Sequence, residues 1–287
     1  MGLGAGISLS FTEAAFERDT FTPASISNLG SWLVGNEGKT INTDSGTDYV
    51  SAWEDKVDGK IYVQNTLAYQ PLNGSDHVDF RNLNALYRKD ADWDTSSDGQ
   101  AFEGIKNALV THNTSGSAGH VFCYVIQIEE DRGGSSNGFY QLHNQQYFDD
   151  TTPGAPYGNN ISGGGGVQVY LDGDFFYQSG ATATATSFNA GTSAGTEMDY
   201  DTKLILTFRY EGGTNGYVKY YRDGTELTMT TGATGTLGQG LVNRLASTSN
   251  NAGFTGKMYE ALVYSSDMSD ANLTLLHNHL KEKYSIS

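Results

Sequence analysis

Two adjoining segments near the end of the chain determine its architecture: Gly256-Lys-Met-Tyr-Glu-Ala-Leu-Val-Tyr264 and, after a short linker, Asp270-Ala-Asn-Leu-Thr-Leu-Leu-His-Asn-His-Leu-Lys-Glu-Lys-Tyr284. The first segment is rich in apolar and aromatic residues without helical spacing, which predicts a β-strand. The second predicts a single amphipathic helix. A strand followed by one terminal helix is therefore the expected end of the fold.

The helix has recognisable signals at both of its ends. Ser269 is the predicted N-cap, and Asp270 in the first turn favours the helix dipole. Lys281 and Lys283 fall in the last turn, where cations are favoured. One apolar stripe recurs at steps of three and four residues: Leu273, Leu276, Leu280 and Tyr284. Because the rest of the chain has almost no helical periodicity, we expect this helix to pack against strands and close the domain.

Short strand candidates alternate with polar turns from Ile26 onward, and no helical pattern separates them. The clearest candidates are Tyr49 to Trp53, Ile61 to Val63, His77 to Phe80, Val121 to Ile128, Gly138 to Leu142, Val167 to Leu171, Leu204 to Tyr210, Tyr217 to Arg222, Glu226 to Met229 and Met258 to Tyr264. The turn Asp223-Gly224 is of the two-residue type that joins antiparallel strands. This pattern predicts an all-β sandwich or jelly roll.

Composition limits the function classes. The chain has 287 residues, 36 Gly, 18 Tyr and 17% charged residues, which is a folded β composition and not a disordered one. Its formal net charge of −16 argues against a nucleic-acid partner, since phosphate binding needs a basic surface. No apolar run approaches the length of a membrane span. The lone cysteine, Cys123, lies in an apolar run and is expected to be a small buried core residue.

Three stretches resemble the concanavalin A-like, laminin G-like jelly-roll family. The first contains Ser31-Trp-Leu-Val-Gly35, then Tyr49-Val-Ser-Ala-Trp-Glu-Asp55 and Pro71 to Phe80. The second ends in Tyr221-Arg-Asp-Gly224, and the third is the terminal strand and helix. The resemblance implies a concanavalin A-like jelly-roll β-sandwich over residues 26–287.

Residues 1–25 are predicted to form an N-terminal extended arm. The phrase Gly2-Leu-Gly-Ala-Gly-Ile-Ser-Leu-Ser10, with Phe21-Thr-Pro-Ala-Ser-Ile26, resembles the lead of bacteriophage virion proteins that carry this jelly roll. Phe11, Phe16 and Phe21 lie five residues apart, which matches no helical or strand face. We expect them to dock onto a neighbouring subunit as an assembly anchor, because exposed Phe on a tail lowers solubility; a flexible tail is the alternative.

One loop-rich stretch combines aromatic rings with amides, the chemistry of sugar sites. Its candidate glycan contacts are Tyr140, Asn144, Gln146, Tyr147 and Tyr157. The alternative is that these tyrosines cover sheet edges or a subunit interface.

A second loop carries closely spaced carboxylates, the ligands that calcium prefers. The candidate calcium ligands are Asp90, Asp92, Asp94 and Asp98. Calcium is the one cofactor that the sequence suggests.

Catalysis has weak support in the sequence. Glycosidases of this fold use Glu-x-Asp-x-Glu on a strand, whereas this chain has Glu197-Met-Asp-Tyr-Asp201, which ends one methylene short. A solvated acidic turn is the favoured interpretation. His277 and His279 point to different faces of a helix, so a shared metal is not expected.

The sequence therefore predicts a non-enzymatic structural protein of a bacteriophage virion: a capsid decoration, tail or fibre component, present in many copies or as a homo-oligomer among other virion proteins. Its loops are expected to contact host glycans. A free glycan-binding adhesin and a glucanase-like hydrolase are the alternatives. The adhesin is disfavoured because residues 1–10 lack the basic start of a signal peptide.

Overall fold

Strands dominate the structure, a computed structural model that describes residues 21–59, 61–81, 86–89, 118–129, 139–146, 166–170, 175–179, 186–190, 200–212, 216–231, 234–235, 241–245 and 254–287. In chain order the strands are β1 (Leu29–Val34), β2 (Lys39–Asp44), β3 (Thr47–Glu54), β4 (Ile61–Val63), β5 (Leu72–Asn73), β6 (Val78–Phe80), β7 (Leu86–Lys89), β8 (Ala118–Ile128), β9 (Phe139–Gln146), β10 (Gly166–Tyr170), β11 (Phe175–Ser179), β12 (Thr186–Ala190), β13 (Lys203–Gly212), β14 (Gly216–Arg222), β15 (Thr225–Glu226), β16 (Met229–Thr231), β17 (Thr234–Gly235), β18 (Leu241–Leu245) and β19 (Gly256–Tyr264). The α-helix, α1, spans Asp270–Tyr284, and 3-10 turns cover Pro23–Ser25 and Leu67–Tyr69. The predicted fold class is confirmed.

The hairpin predicted around residues 204–222 is present, because β13 and β14 pair antiparallel. Its next turn places Asp223 and Gly224 in the left-handed region, at φ 49° and 79°, as a two-residue turn between antiparallel strands requires. The strand predicted over residues 226–229 was wrong. β15 ends at Glu226 and β16 begins at Met229, so residues 227 and 228 separate two short strands. The backbone N–H of Leu227 still donates to the Tyr220 carbonyl of β14 at 2.8 Å, and its side chain packs against the core.

The strands form two antiparallel layers. The first layer has the order β1–β19–β8–β13–β14. The second has the order β2–β3–β4–β7–β18–β9–β10–β11–β12–β16. β5 pairs with both β3 and β6, and β6 pairs with β19, so these short strands join the layers along one edge.

The main core lies between the two layers. β8 contributes Phe122 and Tyr124 to it, while the second layer contributes Trp53, Tyr62 and Leu142. Alternation along β8 sends the intervening residues Val121, Cys123 and Val125 to the opposite face. The first layer is therefore buried on both sides.

Helix α1 covers that outer face of the first layer. Leu273, Leu276 and Leu280 are buried there in a second apolar cluster, together with the odd-numbered residues of β8. The side chain of Ser269 accepts a hydrogen bond from the backbone N–H of Asn272 at 3.2 Å. The predicted span, N-cap and packing face of the helix are all confirmed. Within the part of the chain that the structure describes, no helix has the length and apolar character needed to cross a membrane.

Candidate functional site

Strand β9 carries three of the predicted glycan contacts: Tyr140, Asn144 and Gln146. It is an interior strand of the second layer, paired with β10 on one side and with β18 on the other. Tyr147 and Tyr157 lie outside the described residues. The part of the predicted site that the structure describes is therefore at the middle of a sheet.

Two buried leucines identify the core face of this layer. Leu86 of β7 and Leu245 of β18 pair with each other, and both are fully buried in the main core. Leu245 also pairs with His143 of β9. Because directly paired positions share a face of a sheet, His143 occupies a core-face position of β9. The preceding Leu142 is also fully buried in the core, because it is the extra residue at the register shift against β10.

The register of β9 separates the predicted residues. Asn144 follows His143 and takes the outer-face position, where its backbone partners are Arg244 and Gly166. Gln146 shares that face. A register shift against β10 places Tyr140 opposite Val169, on the same face as the pair of His143 and Val167, so Tyr140 occupies a core-face position. By register, Asn144 and Gln146 therefore occupy positions on one face of β9, and Tyr140 occupies a position on the other face.

The candidate calcium ligands Asp90, Asp92, Asp94 and Asp98 lie outside the described residues. Among the residues that are described, no group of three or more His, Cys, Asp or Glu side chains is arranged to hold a metal ion. Calcium binding stays a prediction from the sequence.

Phe21, the last of the three predicted assembly phenylalanines, packs against its own domain. Its ring meets the ring of His279 on α1 edge-on, with centroids 5.4 Å apart. Pro23 is buried, and its carbonyl accepts a hydrogen bond from the Tyr264 hydroxyl at 3.2 Å. Residues 21–25 of the predicted arm thus contact the sandwich, while Phe11 and Phe16 lie outside the described residues.

The end of the acidic motif lies in a turn. Asp201 is exposed, has a left-handed φ of 60°, and its backbone N–H donates to the Ile128 carbonyl at 2.8 Å. Strand β13 begins two residues later, at Lys203. Glu197 and Asp199 lie outside the described residues. Asp201 is therefore not on the strand where the glycosidase pattern would require it.

Glu260 is a fully buried carboxylate on β19, facing α1. The indole N–H of Trp32 donates to its Oε1 at 2.5 Å. Lys283 Nζ and the Tyr284 hydroxyl both donate to its Oε2 at 2.6 Å. Sequence analysis did not identify this group, although a single charge inside the apolar run of residues 258–264 was a usable signal. It fastens the last turn of α1 to the sheet.

A cluster of three buried side chains, Thr207, Cys123 and His277, lies under the middle of α1. The Thr207 hydroxyl donates to Cys123 Sγ at 3.2 Å and lies 2.9 Å from Nε2 of His277. Cys123 is fully buried, which confirms the prediction of a buried core cysteine, and burial raises the pKa of its thiol to about 12. Burial, with a smaller effect of Lys281, lowers the pKa of His277 to about 4.

We expect His277 to make stability depend on pH. Its pKa is lowered in the folded state, so its contribution is complete above the unfolded pKa of about 6.5 and is lost as pH falls towards about 4. The free energy of unfolding should fall by up to about 1.4 kcal/mol per pH unit in that window. Chemical denaturation at pH 7, 6, 5 and 4 measures the slope. His277→Gln should flatten it more than His279→Gln does, and an equal slope in wild type and H277Q would contradict the assignment.

Arg209 anchors the start of α1. It is buried, and its guanidinium donates to both carboxylate oxygens of Asp267, at 2.6 and 3.1 Å, and also to Asp270. Hydrogen bonding to Asp267 is the main cause that raises the pKa of Arg209. Hydrogen bonds therefore attach α1 to the first layer near the start, the middle and the end of the helix.

Comparisons with known proteins give information about the fold but not about the family of this chain. No family model and no curated protein matches this sequence. Among solved structures, Trypanosoma rangeli sialidase is similar, with a TM-score of 0.51 and 12% identity over 91% of this chain and 35% of the sialidase chain. The same sialidase in complex with 2,3-difluorosialic acid gives a TM-score of 0.50 and 13% identity over 90% and 33%. The chain spans about a third of the length of those sialidase chains, and at this identity the likeness supports the β-sandwich alone.

Proposed function

We propose that this chain is a glycan-binding β-sandwich without catalytic activity, which serves as a structural component of a bacteriophage virion. The observation that supports the glycan assignment is the backbone register of β9, in which Asn144 and Gln146 take positions on one face of an interior strand. A side-chain amide has two donors and an accepting oxygen, which matches the mixed donor and acceptor character of sugar hydroxyls. An interior strand holds such groups on a rigid support.

Two ionisable groups under α1, Cys123 and Glu260, have structural roles. A nucleophilic thiol needs a lowered pKa and access to solvent, whereas Cys123 is buried and its pKa is about 12. Glu260 is fully buried and accepts three hydrogen bonds from groups that hold the helix. These side chains stabilise the fold, so we assign them no step in a reaction.

The virion assignment rests on the sequence resemblance of residues 2–10 and 21–26. Because Phe21 packs against α1 of its own chain, we assign the contact with other virion proteins to the preceding residues, with Phe11 and Phe16 as its apolar anchors. Arm and sandwich then have separate roles: the arm joins the particle and the sandwich contacts glycans.

The glycan assignment is tested by native affinity electrophoresis of the full chain in gels containing soluble polysaccharides. The panel should include neutral β-glucan, dextran and galactomannan, and acidic hyaluronan and polysialic acid. We expect retarded migration in at least one gel, with no release of reducing sugar after prolonged incubation. Unchanged migration in every gel would contradict glycan binding, and sugar release that is abolished by Glu197→Gln would contradict the absence of catalysis.

Deletion of residues 1–20 should separate assembly from folding. The truncated protein keeps Phe21 on α1, so we expect its melting temperature to stay within about 2 °C of that of the full chain, since no described core residue is removed. We expect it to be absent from purified particles when it is produced in place of the full chain. Phe11→Ser with Phe16→Ser is the matched point variant and should have the same effect. Normal occupancy of the truncated protein in the particle would show that the arm is not the anchor.

A further inference from the structure

Strand β2 lies at an exposed edge of the second layer. Among the residues that the structure describes, β2 pairs with β3 and with no other strand. Lys39 is half-buried, and the remaining residues of β2 are exposed. A strand at the edge of a sheet has backbone N–H and C=O groups that can pair with a strand of another molecule.

Alternation along β2 determines which of its backbone groups point to this open edge. At one end, the backbone N–H of Glu54 donates to the Gly38 carbonyl at 2.8 Å. At the other end, a two-residue turn with left-handed φ values of 51° at Ser45 and 82° at Gly46 closes the hairpin with a hydrogen-bonded pair at Asp44. The register shift between β2 and β3 places its extra residue on β3, so β2 alternates regularly. The residues whose backbone groups point to the open edge are therefore Lys39, Ile41 and Thr43.

We propose that β2 pairs antiparallel with β2 of a second copy of this chain, with Ile41 of one copy opposite Ile41 of the other on a two-fold axis. Lys39 then lies opposite Thr43 of the second copy, and by symmetry Thr43 lies opposite its Lys39. Each outward-pointing residue is thus matched with an outward-pointing residue, and such pairs exchange N–H···O=C bonds in both directions. The second layers of the two copies become one continuous sheet. This contact goes beyond the roles proposed above for the arm and for glycan binding.

The side chain of Ile41 fits this register. Ile41 pairs with Val50 of β3, which is fully buried in the main core. Paired positions share a face of the sheet, so Ile41 continues the apolar row of Val50 to the edge, where it is 39% exposed. A second Ile41 opposite the first extends this row across the two-fold axis and covers apolar surface on both copies.

Charge also favours a second copy at this edge. Thr43 pairs with Asp48 of β3 and donates to its Oδ1 at 2.6 Å. The row that crosses the contact therefore contains Lys39 of one copy and Asp48 of the other, and the two-fold axis repeats this match of opposite charges. Within β2, Lys39 and Asp44 cancel, whereas the whole chain has a formal net charge of −16. Two copies meet less electrostatic repulsion at this edge than their net charge implies.

Sedimentation velocity of the full chain at about 5 to 500 µM tests the inference over the range of weak specific association. We expect a monomer–dimer equilibrium. Ile41→Asp should weaken dimerisation about tenfold or more, because it places two carboxylates opposite each other on the axis. Val57→Asp is the matched control, since Val57 is also β-branched and lies outside β2, with 42% exposure against 39% for Ile41. It should dimerise like the wild type, and equal melting temperatures establish that both variants are folded.

An engineered thiol tests the register directly, and it replaces Ile41→Asp if that variant is not folded. The native Cys123 is buried, so the thiol of Ile41→Cys is the one available for cross-linking. In a hydrogen-bonded pair the two Cα atoms lie about 5.5 Å apart, which a disulfide can span. We expect mild oxidation to give a covalent dimer that reductant separates, whereas Val57→Cys should stay monomeric.

The outcomes separate this inference from the proposed function. A monomer at every concentration would overturn the β2 contact and leave glycan binding and the arm unaffected. A dimer that Ile41→Asp does not weaken, or that Ile41→Cys does not cross-link, would place the contact on another surface and would overturn the inference as well.

Failure of every polysaccharide to retard the chain, with dimerisation through Ile41 intact, would remove the glycan assignment alone.

Discussion

Replacing Leu276 by alanine should lower the free energy of unfolding by about 2–5 kcal/mol. Leu276 is fully buried between α1 and the first layer, in the cluster that also contains Leu273 and Leu280. The substitution removes apolar contact area and leaves a cavity that a rigid sheet cannot close. Because β8 and β19 contribute to this cluster as well as to the main core, the loss should appear as a lower melting temperature of the whole sandwich.

Leu275→Ala is the matched control for this experiment. Leu275 precedes Leu276 on the same helix but is 49% exposed, so the same chemical change there should cost less than about 1 kcal/mol. Thermal scans and denaturant titrations of the two variants compare the two positions. An unchanged midpoint for Leu276→Ala would show that α1 is not part of the cooperative core.

Replacing Glu260 by alanine should cost about 2–4 kcal/mol. The change leaves the indole N–H of Trp32 and the hydroxyl of Tyr284 without their carboxylate acceptor, and it opens a cavity on β19. Lys283 adds less to the loss, because its side chain is 33% exposed and can return to water. Hydrogen exchange of the last turn of α1 should also become faster, since the carboxylate fastens that turn to the sheet.

Glu226→Ala provides the comparison for Glu260. Glu226 is an exposed strand carboxylate, 3.8 Å from Lys219, and a surface pair of this kind contributes at most about 1 kcal/mol. Denaturant titrations measure both variants. Equal, small losses at the two positions would mean that the buried carboxylate does not hold the helix.

The terminal helix was predictable from the sequence because its signals are local. The stripe of leucines, the cap at Ser269 and the lysines of the last turn all act within a few residues, and the structure has each of them in place. The strand Gly256–Tyr264 was predictable for the same reason, from a continuous run of strand-forming residues. Local patterns were sufficient for elements of this kind.

The polar contacts under α1 were not predictable, because they join residues that are far apart in sequence. Glu260 accepts a hydrogen bond from Trp32 of the first strand, and Arg209 donates one to Asp267 in the segment before the helix. Such pairs follow from which strands become neighbours, and hydrophobic periodicity does not encode that. A lone charge within an apolar run indicates that a partner exists, but not which residue it is.

The candidate site shows a second reason why sequence analysis alone could not predict which residues share a face of the sheet. Tyr140, Asn144 and Gln146 are spaced by even numbers, so plain alternation would put all of them on one face. The register shift between β9 and β10 interrupts the alternation and moves Tyr140 to the other face. An irregularity in strand pairing depends on both strands, so the sequence of β9 alone could not have revealed it.

The two layers of the sandwich therefore differ in what covers them. The first layer is enclosed by the second layer on one side and by α1 on the other. Its buried Glu260, Thr207 and Arg209 have hydrogen-bond partners on the helix. We attribute the attachment of α1 to the sandwich to these apolar and polar contacts.

Hydrogen–deuterium exchange of the full chain, with and without a saturating polysaccharide, locates the binding surface. We expect exchange to slow in peptides that cover residues 139–146 of β9, and to stay unchanged in peptides that cover residues 265–287. Slower exchange confined to residues 265–287, with residues 139–146 unaffected, would contradict a glycan site at strand β9.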